Sequence, residues 1–453
     1  MKAFVLLIFI FSTHLLSSLF AQNVPDAIRL NQVGFYPEAP KIAVVIGEDI
    51  DSRFYVKVPG GPEPVFSGRL QEPVAAEFSN KITQIADFSI FTDTGKFVLE
   101  VPGTGVSYPF YIKPRVYEDL TKAAIKSYYF QRASMPLKEE YAGKWKRPAG
   151  HQDDKVLVHS SAASKERPAG TIISSPKGWY DAGDYNKYIV NSGITMGTLL
   201  SAYEDFPEYF QGLDLQIPES ANNLPDLLDE LLWNLQWMQT MQDPHDGGVY
   251  HKLTNPNFDG MSQMPHEATK ERYVVQKTTA AALNFAAVMA QAGRVFKNFN
   301  NVKPGFADSC IVAAAKAWDW ARKYPSVYYL QDELNKQHNP LINTGAYGDN
   351  NVTDEFIWAA AELYVTTKKE DYYKAVNIIP DRNLLVPSWN QVRALGYYTL
   401  IRFQNELTPI AKKDIAEVKG QVLRLANDLI KNISQRAFQT VMGSSVQNFI
   451  WGS

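Results

Sequence analysis

The chain has 453 residues, 45% of them hydrophobic, enough for two or three buried cores. With 45 Lys+Arg against 48 Asp+Glu the formal net charge is −3, which excludes the strongly basic surface that nucleic acid or an anionic membrane would require and suits a neutral partner. Aromatic residues make up 13% of the chain; core packing accounts for most, and the rest are suited to stacking on the C–H faces of sugar rings.

Residues 1–21, MKAFVLLIFIFSTHLLSSLFA, carry one basic residue (Lys2), an apolar run too short for a stable span, and a small residue at Ala21. This pattern predicts a signal peptide cleaved near Ala21–Gln22, and therefore a secreted or periplasmic protein. No later stretch approaches 18 uninterrupted apolar residues, so no membrane partner is expected. From Ile28 to about Lys113 the runs KIAVVIG, RFYVKVP, ADFSIF, GKFVLEVP and SYPFYI are short, β-branched and aromatic, with Gly, Pro and Asp between them. Residues 24–113 are therefore read as a small immunoglobulin-like β-sandwich.

Past Lys113–Asp119 the texture turns helical with almost no strand signal. Helices are predicted at Tyr117–Arg132, Gly193–Phe206, Asn223–Gln242, Thr278–Phe296, Ala307–Arg322, Asp354–Val376, Trp389–Arg402 and Ile415–Ile433, and SVQNFIWGS opens a ninth. Asn223 reads as a cap with Pro225 in the first turn, followed by an apolar stripe from Leu224 to Met238. Cys310, the one cysteine, lies in the helical stretch FADSCIVAAAKAWDW and is expected in the core. An exported chain with a single Cys forms no internal disulfide, which suits a bacterial exterior. This many helices in series predicts a toroid of helical hairpins whose long loops, 134–192, 243–277 and 337–354, gather at one end.

The first of these loops ends in GWYDAGDYNKY, where Asp181 and Asp184 stand three residues apart around Ala182 and Gly183. Two carboxylates so placed can hold one water, with one oriented to take its proton; hydrolysis by inversion needs such a base opposite a proton donor. A polar turn with Asp as a helix cap, or a divalent-metal clamp, remains open at this level. In DPHDGGVYHK, His251 is a candidate donor to a sugar hydroxyl, and His245 with His251 makes at best a weak metal pair. TGAYGDNNVTDEFIWAAAELY enters a helix with acids in its first turn; Thr353 and Asp354 read as capping, Asp349 and Asp354 could hold calcium, and Trp358 faces either core or cleft.

Together these segments resemble glycoside hydrolase family 9. IRLNQVGFYPEAPKIAVV looks like the opening of the immunoglobulin-like domain that precedes many of its catalytic modules, and GWYDAGDYNKYIVNSG matches its DAGD signature. DGGVYHKLT, RYVVQKTTAAALNFAAVMAQAGRVF and GAYGDNNVTDEFIWAAAELY follow in family order. The resemblance implies a multidomain chain: the β-sandwich, then an (α/α)6 barrel over 117–453 with an open cleft for β-glucan. It further implies endo-acting hydrolysis of β-1,4-glucosidic bonds with inversion by a monomer that requires no cofactor. By motif position Asp184 would be the base and Asp181 its partner in holding water, His251 would contact substrate, and Trp179, Tyr180 and Trp358 would be cleft walls.

Two departures qualify it. The positions comparable to a zinc site in some relatives are Ala133, Gly150, His151 and Lys187, which predicts no zinc. Family members continue past FIWGS into further helices bearing a His/Arg segment and the general-acid Glu. No acid within 1–453 matches that Glu, and Glu355 and Glu362 have simpler explanations. The expectation is therefore a barrel with eight to nine of twelve helices, a fragment of a longer enzyme with little activity of its own. A degenerate glycan-binding protein and an exo-acting glycosidase are the alternatives.

Overall fold

A computed structural model describes residues 26–48, 50–77, 79–431 and 433–441. The predicted leader at 1–21 and the ninth helix opened at Ser445 lie outside the described residues. The chain divides into two compact units, 1–120 with 428–453, and 121–427.

The first unit is a β-sandwich. Strands β1 (Ile28–Leu30), β2 (Ile42–Ile46), β5 (Val74–Ala75) and β6 (Ile82–Asp87) form one sheet in the order β1-β2-β6-β5. The other runs β4-β3-β7-β8, from β3 (Arg53–Lys57), β4 (Pro64–Arg69), β7 (Gly95–Val101) and β8 (Gly105–Val106), with β9 (Phe110–Ile112) also paired to β7. Alternation sorts the side chains: Phe97, Leu99 and Val101 of β7 point inward with Phe54 and Val56 of β3, meeting Val45 and Ala86 of the opposite sheet. Two expectations needed correction. The run ADFSIF is not a strand beyond Asp87; Phe88 and Phe91 sit in a turn closed by the Phe91 amide on the Phe88 carbonyl, and both are core residues. Strand β4 carries no run of β-branched residues and gave no sequence signal.

The second unit is built from helices. Those of ten residues or more among the described residues are α1 (Glu118–Gln131), α2 (Ile189–Asp205), α3 (Asp226–Thr240), α4 (Thr279–Phe296), α5 (Phe306–Lys323), α6 (Thr353–Thr367), α7 (Arg393–Arg402) and α8 (Ile415–Ile430). They match the eight predicted, with shifted ends. Helix α6 stops at Lys368, which turns left-handed at φ 60°, and Glu370–Lys374 is a separate turn, so the single helix expected to reach Val376 is two. Asn222 rather than Asn223 organises the entry to α3, its Oδ1 accepting from the Leu224 amide at 2.6 Å, and Pro225 is the residue before the helix. Helix α4 packs against α2, α5 and α6, and α6 also packs against α7. Because α4 is enclosed on several sides, every residue in it except Arg294 is buried, which explains its run of alanines. Gly197 of α2 lets α6 approach closely: a Cβ there would lie 2.5 Å from the Trp358 ring. Cys310 is buried on α5. Among the described residues no helix is long and apolar enough to cross a membrane.

After residue 113 the chain also forms strands that the sequence pattern does not announce. A five-stranded sheet, in the order β11-β10-β14-β13-β12, is formed by β10 (Val156–Val158), β11 (Ile172–Ile173), β12 (Lys187–Tyr188), β13 (Lys252–Thr254) and β14 (Tyr273–Val274). Each strand is two or three residues long, too short for an alternation to show. The sheet organises the long loops, pairing the segment after Asp184 with the segment after His251.

Candidate active site

Backbone bonds fix the GWYDAGD segment before its side chains act. The Tyr180 amide donates to Gln131 O at 2.9 Å, Trp179 N donates to Asn234 Oδ1 at 3.2 Å, and Asp181 N donates to Asn186 O at 3.1 Å, closing the turn that contains both acids. Strand β12 then carries Tyr188 antiparallel to Lys252, and α2 begins at the next residue with Asn191 in its first turn.

The two carboxylates are held differently. Asp181 accepts on both oxygens, from Asn191 Nδ2 at 2.7 Å on Oδ1 and from the Tyr347 hydroxyl at 3.0 Å on Oδ2. Asp184 accepts on one, Oδ2, from Asn186 Nδ2 at 2.5 Å and the Tyr188 hydroxyl at 2.9 Å; among the described residues nothing binds its Oδ1. Burial raises the pKa of Asp181, the neighbouring Asp184 charge adds to the rise, and the bonds from Asn191 and Tyr347 oppose it. The phenols respond in kind: burial beside these acids pushes Tyr347 up to about 12 and Tyr188 higher still, so both remain donors at neutral pH. Tyr188 and Tyr347 meet edge-on at 4.8 Å between ring centroids, and Trp389 stands edge-on to Tyr347 at 5.4 Å. Tyr347 and Trp389 are only partly buried, so aromatic surface does stand beside the acids, from different residues than expected.

The expected walls are structural. Trp179 is 5% exposed; its Nε1 donates to Glu230 Oε1 at 2.8 Å and its ring lies 4.7 Å from that of Tyr128. Tyr180 is buried with its hydroxyl 2.8 Å from His151 Nδ1. Trp358 is fully buried among helices, donating to Glu362 Oε1 at 3.2 Å, because one turn into α6 its side chain points at Gly197. His251 also lies inside. Its Nε2 donates to Ala346 O at 2.9 Å, its Nδ1 accepts from the Thr278 hydroxyl at 2.9 Å, and its ring stacks on Tyr329 at 4.3 Å, so neither nitrogen is left for a sugar hydroxyl. Burial lowers its pKa to about 3, keeping the ring neutral.

Asp349 and Asp354 do fall in one cluster, joined by Glu355. Asp349 Oδ1 accepts from Asn351 N at 2.8 Å and Asp354 Oδ2 accepts from Val392 N at 2.7 Å. Asp349 Oδ2, Asp354 Oδ1 and both oxygens of Glu355 are buried without partners. Burial raises all three pKa values, and the adjacent Asp354 and Asp349 charges help push Glu355 well above the usual carboxylate range. Among the described residues no three His, Cys, Asp or Glu side chains close on one point at ligating geometry, and Asp354 and Glu355 are neighbours that can share a proton. At the positions considered for zinc, Lys187 is fully buried, with Nζ 2.8 Å from Asp153 Oδ2 and 2.7 Å from Lys177 O, and His151 is bonded to Tyr180.

Sequence reasoning missed Tyr347, Asn191, Asn186 and Trp389. Tyr347 lay in a loop already singled out for its Gly, Asn and Asp content. Trp389 was assigned to a helix that begins only at Arg393.

The chain is similar to known proteins along nearly its whole length. The sequence model "Glycosyl hydrolase family 9" matches residues 117–453, and "Cellulase N-terminal ig-like domain" matches 23–106. The chain is similar to the xyloglucan-specific endo-beta-1,4-glucanase BoGH9A of Bacteroides ovatus, 46% identical over 427 residues, covering 94% of this chain and 72% of that protein. It is 31% identical over 434 residues to endoglucanase D of Acetivibrio thermocellus, covering 94% of this chain and 65% of that enzyme. A solved structure titled Bacteroides ovatus GH9 superposes with a TM-score of 0.90 over 94% of this chain and 77% of its own, at 46% identity. The chain thus spans roughly two thirds to three quarters of the length of these relatives.

Proposed function

The chain belongs to glycosyl hydrolase family 9, with the N-terminal immunoglobulin-like domain followed by the family's (α/α)6 barrel fold, and on that premise we propose that it is an endo-β-1,4-glucanase acting with inversion. Xyloglucan is the substrate to be tried first, because the 46% identical relative is named for it. Cellulose and mixed-linkage glucan are the other candidates.

The observation that carries the reading is the asymmetry of the two acids. Asp181 has both oxygens satisfied by side-chain donors, which suits a group that holds and orients. Asp184 is steadied through Oδ2 alone and keeps Oδ1 for a reactant. In the proposed step a water between them gives its proton to Asp184 Oδ1. Its oxygen bonds to the anomeric carbon from the face opposite the leaving sugar, the glycosidic bond breaks, and the departing oxygen takes a proton from an acid on the far side. No residue within 1–453 is assigned as that donor.

Calcium at Asp349 and Asp354, in a structural role, would need ligands beyond these two carboxylates, because among the described residues no third acid closes on the same point at ligating geometry. Asp349 Oδ2 and Asp354 Oδ1, buried and without a hydrogen-bond donor, support a cation there.

The test is a comparison of viscosity and reducing ends on soluble xyloglucan, carboxymethylcellulose and mixed-linkage glucan. Endo action predicts an early fall in viscosity with few new ends. Release of one small product at unchanged viscosity would mean exo action, and glycan binding without any cleavage would mean a binding protein on a hydrolase fold.

A further inference from the structure

We propose that Lys252, with His251 beside it, is a positioning residue: the two grip the Thr344–Tyr347 turn from behind and set the Tyr347 hydroxyl on Asp181. The inference rests on the reading of Asp181 and Asp184 as the water-activating pair.

Lys252 is fully buried on β13, and among the described residues no carboxylate pairs with it. Burying an ammonium without a counter-charge is costly, and the cost falls only if each N–H finds an acceptor. All three do: Gln331 Oε1 at 2.8 Å, Thr344 Oγ1 at 3.0 Å and Gly345 O at 2.6 Å. The rings of Tyr188 and Tyr329 face the charge at 5.6 and 5.2 Å. Two of the three bonds thus end on the turn. Gln331 Nε2 adds a third hold on Thr344 O at 2.9 Å, and His251 holds Ala346 O at 2.9 Å. Three successive residues of the turn are tied down, and the next is Tyr347, whose hydroxyl reaches Asp181 Oδ2. Gly345 is wedged between the two phenols that serve the acids: a Cβ there would lie 2.9 Å from the Tyr347 ring and 3.1 Å from the Tyr188 hydroxyl. A shift of the turn therefore moves the Tyr347 hydroxyl off Asp181, while Tyr188 is held separately on β12.

The grip depends on charge. Burial lowers the Lys252 pKa to about 7, with Asp184 opposing the fall. The groups facing it are Asp184, the neutral His251 and the phenols of Tyr188 and Tyr329, which burial keeps protonated. Loss of the proton as pH rises through that value removes one of three donors and turns a lone pair toward an acceptor, so the turn slackens on the alkaline side. Arginine at this position stays charged throughout that range.

The experiment uses the full chain and 2,4-dinitrophenyl β-cellobioside, whose phenolate departs without a proton donor. Steady-state kinetics are compared across pH for the parent, Lys252→Met, Lys252→Arg, Tyr347→Phe, the Lys252→Met/Tyr347→Phe double variant and Asp184→Asn, with thermal melts as the check on folding. Lys252→Met is expected to lower kcat about tenfold or more with KM changed no more than about twofold, and to cost less than about twofold once Tyr347 is already Phe. Lys252→Arg is expected to move the alkaline limb of kcat to higher pH. Additive losses, a loss confined to KM, or an alkaline limb indifferent to Lys252→Arg would each overturn the proposal. If Lys252→Met is unfolded at the assay temperature, Lys252→Gln takes its place in the cycle with Tyr347→Phe, and the same non-additive loss in kcat is expected. Turnover in the parent that is absent or unaffected by Asp184→Asn would instead overturn the reading of the acid pair.

Discussion

Replacing Asp184 with Asn tests the centre of the reading, and the structure sets the size of the effect. Oδ2 accepts from two donors, Asn186 Nδ2 at 2.5 Å and the Tyr188 hydroxyl at 2.9 Å. An amide in the same place must turn its oxygen toward both, because its NH2 group would meet two donors. The NH2 then occupies the position of Oδ1 and offers hydrogens to the water that should lose one. The side chain keeps its shape and its two inward bonds while the base is gone and the water is reversed. Loss of general-base assistance costs about 10²–10⁴-fold in kcat, while the affinity for an oligosaccharide, set by other contacts, is expected to stay within about threefold. The assay is 2,4-dinitrophenyl β-cellobioside turnover with calorimetric titration of cellotetraose. A variant retaining more than about a tenth of the parent kcat, or one that loses binding in parallel with rate, would refute the assignment of Asp184 as base.

Inversion predicts that proton NMR of products from a β-glucan oligosaccharide shows α anomers first, with β appearing only by mutarotation; initial β anomers would contradict it. Tyr347→Phe removes one of two donors to Asp181, a bond to a charged group of about 1.5–3 kcal/mol, so kcat should fall about 10- to 150-fold. The same change removes an influence that lowers the Asp181 pKa. That carboxylate must be ionised to work, so the acid limb of the rate profile should move to higher pH; an unmoved limb would count against Asp181 as the water-holding partner. Calcium should raise the melting temperature and chelation should lower it, and Asp354→Asn should abolish the difference, whereas identical melts with and without calcium would dismiss the cation. Arg294→Met leaves Glu204 and Glu362, held at 2.7 and 2.8 Å, without their shared charge among α2, α4 and α6. Chemical denaturation should register a loss of about 3–5 kcal/mol, and a loss under about 1 kcal/mol would mean that Arg402, whose Nη1 lies 3.3 Å from Glu204 Oε2, takes over.

The candidate acids were legible in sequence because three-residue spacing around Ala-Gly is a local constraint, and local constraints survive the absence of a structure. The eight helices were legible for the same reason, through apolar periodicity. What misled was burial. Trp179, Tyr180 and Trp358 looked like cleft aromatics by their nearness to the acids, yet each points inward: Trp179 to Glu230, Tyr180 to His151, Trp358 to Gly197 and Glu362. Nearness in sequence places a residue on an element but does not choose which side of that element faces the cleft. Both its loop and the family resemblance make His251 a candidate substrate contact, and the stacked Tyr329 and the carbonyl of Ala346 claim it for the interior.

By itself the sequence determined the β-sandwich, the run of helices, the DAGD turn and the family to which they belong, since each is read from short local segments and their order along the chain. The resemblance already implied Asp184 as the base; what only the tertiary structure supplies is the unequal bonding of the two acids, both oxygens of Asp181 accepting and only Oδ2 of Asp184. That difference arises from a donor 166 positions away, Tyr347 on Asp181, and from strands of two or three residues that register one loop against another. Hydrogen bonds over such separations form only after the helices have packed, so no window of sequence contains both partners.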